Sequence, residues 1–77
     1  MITITSFTVP RVHGGDSAAI IRSAVRSTDG VSDVIVNVPA RLVQVEYDEE
    51  RTNAQALKGV IEAAGFPVQR YSNGKRY

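Results

Sequence analysis

The chain has 77 residues, 43% of them hydrophobic and 22% charged, with no cysteine and one histidine. That length bounds it to one small domain with a single core, in which folding hides only about 60% of the surface of the unfolded chain. Nine Lys plus Arg against eight Asp plus Glu leave a net charge of +1, which is not the basic excess of a nucleic-acid or acidic-membrane binder, and the lack of cysteine removes disulfides, Cys-rich zinc sites and thiol redox chemistry.

Met1-Ile2-Thr3-Ile4-Thr5 lacks the basic region and apolar core of a secretory signal, and no stretch approaches the roughly 18 apolar residues of a membrane span. A cytoplasmic protein is expected. From Ile2 to Val9 β-branched and aromatic residues predominate, so this run reads as a strand that Pro10 ends. Phe7 and Val9 are expected to face the core, sending Ile2 and Ile4 to the opposite face, with Ser6 as a place where a bulge would reverse part of that assignment. Arg11-Val12-His13-Gly14-Gly15 reads as a loop, with Asp16 or Ser17 as cap of a helix over Ala18 to Ser27. Ile20, Ile21, Ala24 and Val25 form its apolar face, and Arg22, Ser23 and Arg26 face away. Asp29-Gly30 ends it.

Val34, Val36 and Val38 alternate with Ile35 and Asn37, and Val43, Val45 and Tyr47 alternate with Gln44 and Glu46, so two half-buried strands are predicted with Pro39-Ala40-Arg41 as their hairpin. Thr52 and Gln55 have the spacing of a capping box at the start of a second helix. Leu57, Val60, Ile61 and Ala64 form its buried stripe, and Gly65 is placed to end it in the left-handed conformation. Phe66 to Tyr71 reads as a short edge strand. Residues 1–71 are therefore expected to form the domain and 72–77 a polar tail, in which Lys75, Arg76 and Tyr77 with Arg70 and Tyr71 make a small basic, aromatic cluster. The order strand, helix, strand, strand, helix, strand, with right-handed crossovers, predicts an α+β fold, the ferredoxin-like βαββαβ sandwich: a four-stranded antiparallel sheet with two helices on one face. Ile2, Ile4, Ile35 and Leu42 on the open face would expose enough apolar area to suggest a dimer or a docking partner.

Phe7-Thr8-Val9, Ile21, Ala24 and Val25, Asp29-Gly30-Val31, Val43 through Asp48, and Ile61-Glu62-Ala63-Ala64-Gly65-Phe66 together resemble the heavy-metal-associated domain, the family of small copper chaperones, mercury-binding periplasmic proteins and amino-terminal domains of metal-pumping ATPases. The resemblance implies the same fold, a place in metal handling, and a metal-transport or metal-handling protein, or a second copy, as partner. The family's metal loop reads Gly-Met-x-Cys-x-x-Cys. Here Arg11 and Val12 occupy the Gly-Met positions, and Gly14 and Ser17 stand where the two cysteines belong. Glycine has no side chain and a serine hydroxyl has no anionic form at neutral pH, so the soft thiolate pair suited to Cu(I) or Hg(II) is absent.

His13 and Asp16 offer one nitrogen and one oxygen, a pair suited to a divalent transition metal such as Cu(II), Ni(II) or Zn(II), but short of the three or four protein ligands a zinc site takes. A second chain or partner would have to complete it. In the plainer reading His13 is an exposed loop residue and Asp16 a cap. A third reading uses Gly14, Gly15, Arg11 and His13 at the helix start to hold a phosphate or carboxylate, without any P-loop pattern. The central strands lack stacking aromatics for RNA, and no nucleophile has a base beside it, so neither RNA binding nor catalysis is expected. Phe66 is expected to pack over the loop, and Arg11, Arg22 and Arg26 are candidate docking contacts around the loop and the first helix. The expected function is protein docking or an accessory role in metal handling, with at most weak or shared metal binding.

Overall fold

The structure, a computed structural model, describes residues 2–76, and side chains through Ser72. Its elements follow the order β1 (Ile2–Thr8), α1 (Gly15–Arg26), β2 (Val31–Asn37), β3 (Leu42–Asp48), α2 (Ala54–Ala63) and β4 (Arg70–Arg76). The strands form one antiparallel sheet in the order β2-β3-β1-β4, the expected ferredoxin-like topology. Period-two alternation sets the faces. On β1, Thr3, Thr5 and Phe7 are buried while Ile2, Ile4, Ser6 and Thr8 are half-buried on the open side, as expected for Phe7, Ile2 and Ile4. The ladder irregularities fall between Thr3 and Thr5 on the β4 side and between Val31 and Asp33 on β2, so Ser6 stays in register opposite Gln44 and Ser72.

The core joins Phe7, Val9 and Val12 to Ile21 and Val25 of α1, Val34, Val43, Val45 and Tyr47 of the sheet, Ala54, Leu57 and Ile61 of α2, and Val68. Burial of each large apolar side chain here stabilises the fold by about 1.5–3 kcal/mol. Inside it the Tyr47 and Thr5 hydroxyls share a 2.9 Å hydrogen bond, which removes the cost of sequestering either one from water.

Several boundaries differ from expectation. The N-cap of α1 is Gly14, with no side-chain cap bond; Asp16 and Ser17 lie inside the first turn, so neither is the cap. Ile20, assigned to the buried face, is 50% exposed, while Ser17 and Ala18 are buried. The cap of α2 is Asn53 rather than Thr52; its side chain accepts a 2.8 Å bond from the Ala56 N–H. Gly65 does end α2 with φ of 97°. The last strand starts at Arg70 rather than Phe66 and runs past Tyr71 to Arg76, because Val68 turns into the core and the Gln69 N–H donates to the Thr8 carbonyl at 2.8 Å, starting a ladder that Arg70 continues. Ser72 to Arg76, read as tail, therefore belong to this strand; Tyr77 and the side chains of Lys75 and Arg76 lie outside the described residues.

Candidate functional site

The loop between β1 and α1 is anchored from both ends. Val9 closes the strand with its N–H donating to the Arg41 carbonyl at 2.9 Å, and the Val12 N–H donates back to the Val9 carbonyl at 3.2 Å, folding Pro10 and Arg11 outward in a turn. Val12 is fully buried in the core. An apolar anchor in the middle of the loop thus fixes where the flanking residues emerge, and Arg11 and His13 on either side of it are exposed. Gly14 is extended, with φ of 176° and ψ of 179°, and its carbonyl accepts the first helical bond from the Ala18 N–H at 3.0 Å.

One turn later Ser17 points inward and is 5% exposed, whereas Asp16 points to solvent. Asp16 in the first turn complements the positive end of the helix dipole without capping it. No hydrogen bond or ion pair joins His13 to Asp16 among the described residues, and no group of three or more His, Cys, Asp or Glu side chains with metal-holding geometry occurs among them. At the C-terminal end of α2, Phe66 follows the left-handed Gly65; it is half-buried and packs against the core cluster. Arg22 and Arg26 are exposed on α1.

The donor chemistry does not fit a soft metal ion. Gly14 has no side chain and Ser17 contributes only a neutral hydroxyl, so no thiolate is available where this loop would present one. A residue missed in the sequence is Ile20, an exposed apolar side chain on the helix that follows the loop. Its position at the rim of the apolar stripe, beside Ile21, is what made it read as core.

The family model described as "Heavy-metal-associated domain" matches residues 6–67. The chain belongs to the heavy-metal-associated domain family. Copper chaperone CopZ of Staphylococcus aureus (strain JH9) is 32% identical over 54 residues, covering 70% of this chain and 79% of the chaperone. A probable copper-exporting P-type ATPase of Archaeoglobus fulgidus is 36% identical over 61 residues, 75% of this chain but 8% of the pump, so the chain spans only a small part of that relative. Oxidized MerP from Ralstonia metallidurans CH34 superposes with a TM-score of 0.83 at 25% identity, over 91% of this chain and all of MerP. Unlike the soft-metal loop that the resemblance implies, this chain has no cysteine anywhere. No helix among the described residues is long and apolar enough to cross a membrane.

Proposed function

We propose that this heavy-metal-associated domain is a non-enzymatic docking module of a metal-handling system, which engages a metal-transport protein through its loop and α1 without carrying a soft metal ion itself. What supports this reading is that Gly14 and Ser17, the positions where the resemblance would put the two thiols, carry none, while buried Val12 anchors the loop between them and β1. Arg11 supplies exposed positive charge on the loop and Arg22 and Arg26 supply it along α1, Ile20 adds an exposed apolar contact on that helix, and Phe66 packs against the core. The similarity to a copper chaperone and to one segment of a copper-exporting pump supports a partner of that kind.

A second reading rests on the exposure of both His13 and Asp16 beside the loop. There they would give one nitrogen and one oxygen to Cu(II), Ni(II) or Zn(II), with the remaining ligands supplied by a dimer mate or partner. Calorimetric and amide-shift titrations with Cu(I), Cu(II), Ni(II) and Zn(II), on the wild type and on His13→Ala, separate the two. The docking reading expects no saturable micromolar binding. Micromolar binding that disappears in His13→Ala overturns it in favour of the carrier.

A further inference from the structure

The face of the sheet away from the helices sets like charges side by side, with a 2.9 Å bond from the Val34 N–H to the Asp33 carboxylate beside them. Asp33 on β2 is the register partner of Glu46 on β3, and both line one shallow hollow together with Ile4, Ile35 and Gln44. Like charges directly opposite on a ladder destabilise it. No ion pair among the described residues relieves them. Beside them Ile35 is 56% exposed, more than any other large apolar side chain described. At the opposite corner of the same face, Arg70 on β4 is the register partner of Thr8 and lines a cleft of about 220 Å³ with Ser6, Thr8, Leu42 and Ser72. Arg70 likewise has no carboxylate partner among the described residues.

The two corners are related by geometry. In the sheet order β2-β3-β1-β4, Asp33 and Arg70 lie three strand spacings apart, roughly 14 Å, and four residues apart along the strands, roughly 13 Å. Because the two offsets are nearly equal, a two-fold axis lying in the plane between two facing sheets, along the other diagonal, exchanges the acidic corner with the basic one. That operation crosses the strands at about 90°, one of the two packings that sheets adopt. It also brings Ile35 over the partner's Leu42, which is half-buried on the same face.

We infer that the open sheet face is a self-complementary interface for a second copy of this chain, in which Arg70 docks between Asp33 and Glu46 of the partner subunit, twice, around an Ile35–Leu42 contact. The near-zero net charge of +1 leaves little long-range repulsion to oppose it. The face is small and largely polar, so the interface falls in the weak class below about 1,200 Å². It lies on the side of the sheet away from α1, so both copies keep that helix accessible, and the inference stands apart from the proposed docking function.

Sedimentation equilibrium on the full chain, from about 10 µM to about 1 mM to span weak dissociation constants, tests it. The expected result is a mass rising toward the dimer with concentration and falling back as salt is added. Arg70→Glu alone, and Asp33→Lys with Glu46→Lys, each give a monomer across the range. Mixing these two variants restores the dimer, because each of its two contacts then pairs opposite charges, and this rescue also establishes that both variants are folded. A wild-type monomer at every concentration overturns the inference and leaves the face to a different protein, as does a dimer indifferent to Arg70→Glu.

Discussion

The hydroxyls of Thr5 and Tyr47 meet 2.9 Å apart inside the core, from diagonal positions on the neighbouring strands β1 and β3, whose register pairs Thr5 with Val45 and Tyr47 with Thr3. Both side chains are almost wholly buried, so each is the other's replacement for water. Thr5→Val leaves the Tyr47 hydroxyl without a partner and is expected to cost about 1–3 kcal/mol. Adding Tyr47→Phe recovers much of that loss, since two apolar groups of the same shape need no bond. Urea unfolding of the two single variants and the double variant measures the coupling. Equal and additive losses would contradict it.

Asn53 sets the start of α2. Asn53→Ala removes the bond to the Ala56 N–H and is expected to lower stability by about 1 kcal/mol, or about 4–8 °C in Tm for a domain of this size. Gln55→Ala touches only an exposed 3.4 Å bond from the Tyr71 hydroxyl and is expected to stay within about 0.5 kcal/mol. Thermal melts of the two variants distinguish the Asn53 cap from a capping box built on Gln55.

Gly30 and Gly65 have nearly the same positive φ, 93° and 97°, in different surroundings. A Cβ on Gly30 would stand 2.7 Å from the Arg51 Cβ, whereas one on Gly65 meets nothing within 4 Å. Gly65→Ala is expected to cost about 1–2 kcal/mol for the backbone conformation alone. Gly30→Ala adds a steric clash and should cost more. A smaller loss at Gly30 in denaturant unfolding would show that β2 and the turn before α2 separate easily.

Asp48 has its carboxyl held below the ordinary carboxylate range, chiefly because the Glu50 backbone N–H donates to it at 3.0 Å. A depressed folded pKa favours the fold when the pH is above the unfolded value near 3.8, and that contribution is lost as pH falls through the folded value. The stability difference between the wild type and Asp48→Asn should therefore be largest at neutral pH and shrink as the pH falls below 3.8 and through the lowered folded value. Urea midpoints measured across that window check the sign.

The loop itself can be tested by restoring its chemistry. Gly14 is extended and an added Cβ there meets no atom within 4 Å, so Gly14→Cys introduces no strain. With Ser17→Cys, one turn on, it places two thiols at the start of α1, where the helix dipole lowers their pKa. The double variant is expected to bind Cu(I) in competition with a chromogenic chelator while the wild type does not. Failure to bind would mean that the thiol positions alone do not make the site.

What the sequence conveyed follows from where its signals are strong. Alternation in Val43, Val45 and Tyr47 is set by burial on one side of a central strand, and it placed β3 and its faces correctly. The resemblance located the loop because the residues that carry it, Phe7-Thr8-Val9 and Ile21, Ala24 and Val25, lie in the two elements that flank it. Ser72 to Arg76 escaped because an edge strand of polar residues has no apolar alternation, while Val68, which plugs the core from a loop, imitates a strand residue. The α2 cap shifted by one residue because Thr52 and Asn53 are both good caps, and only the backbone decides between them. Nothing in a single sequence orders Asp33, Glu46 and Arg70 on one face; that required the register.

The pairing of β1 with β4 joins residues at opposite ends of the chain. Such a contact closes a loop of nearly the whole domain, which raises contact order and slows folding. During synthesis β1 can pair with β3 first, but its other edge stays open until residues 70–76 emerge, so completion of the sheet must wait for nearly the last residue of the domain. The half-made sheet, with Phe7 lacking its tilted stack against Tyr71, is the stage at which a nascent chain is most exposed to wrong pairing.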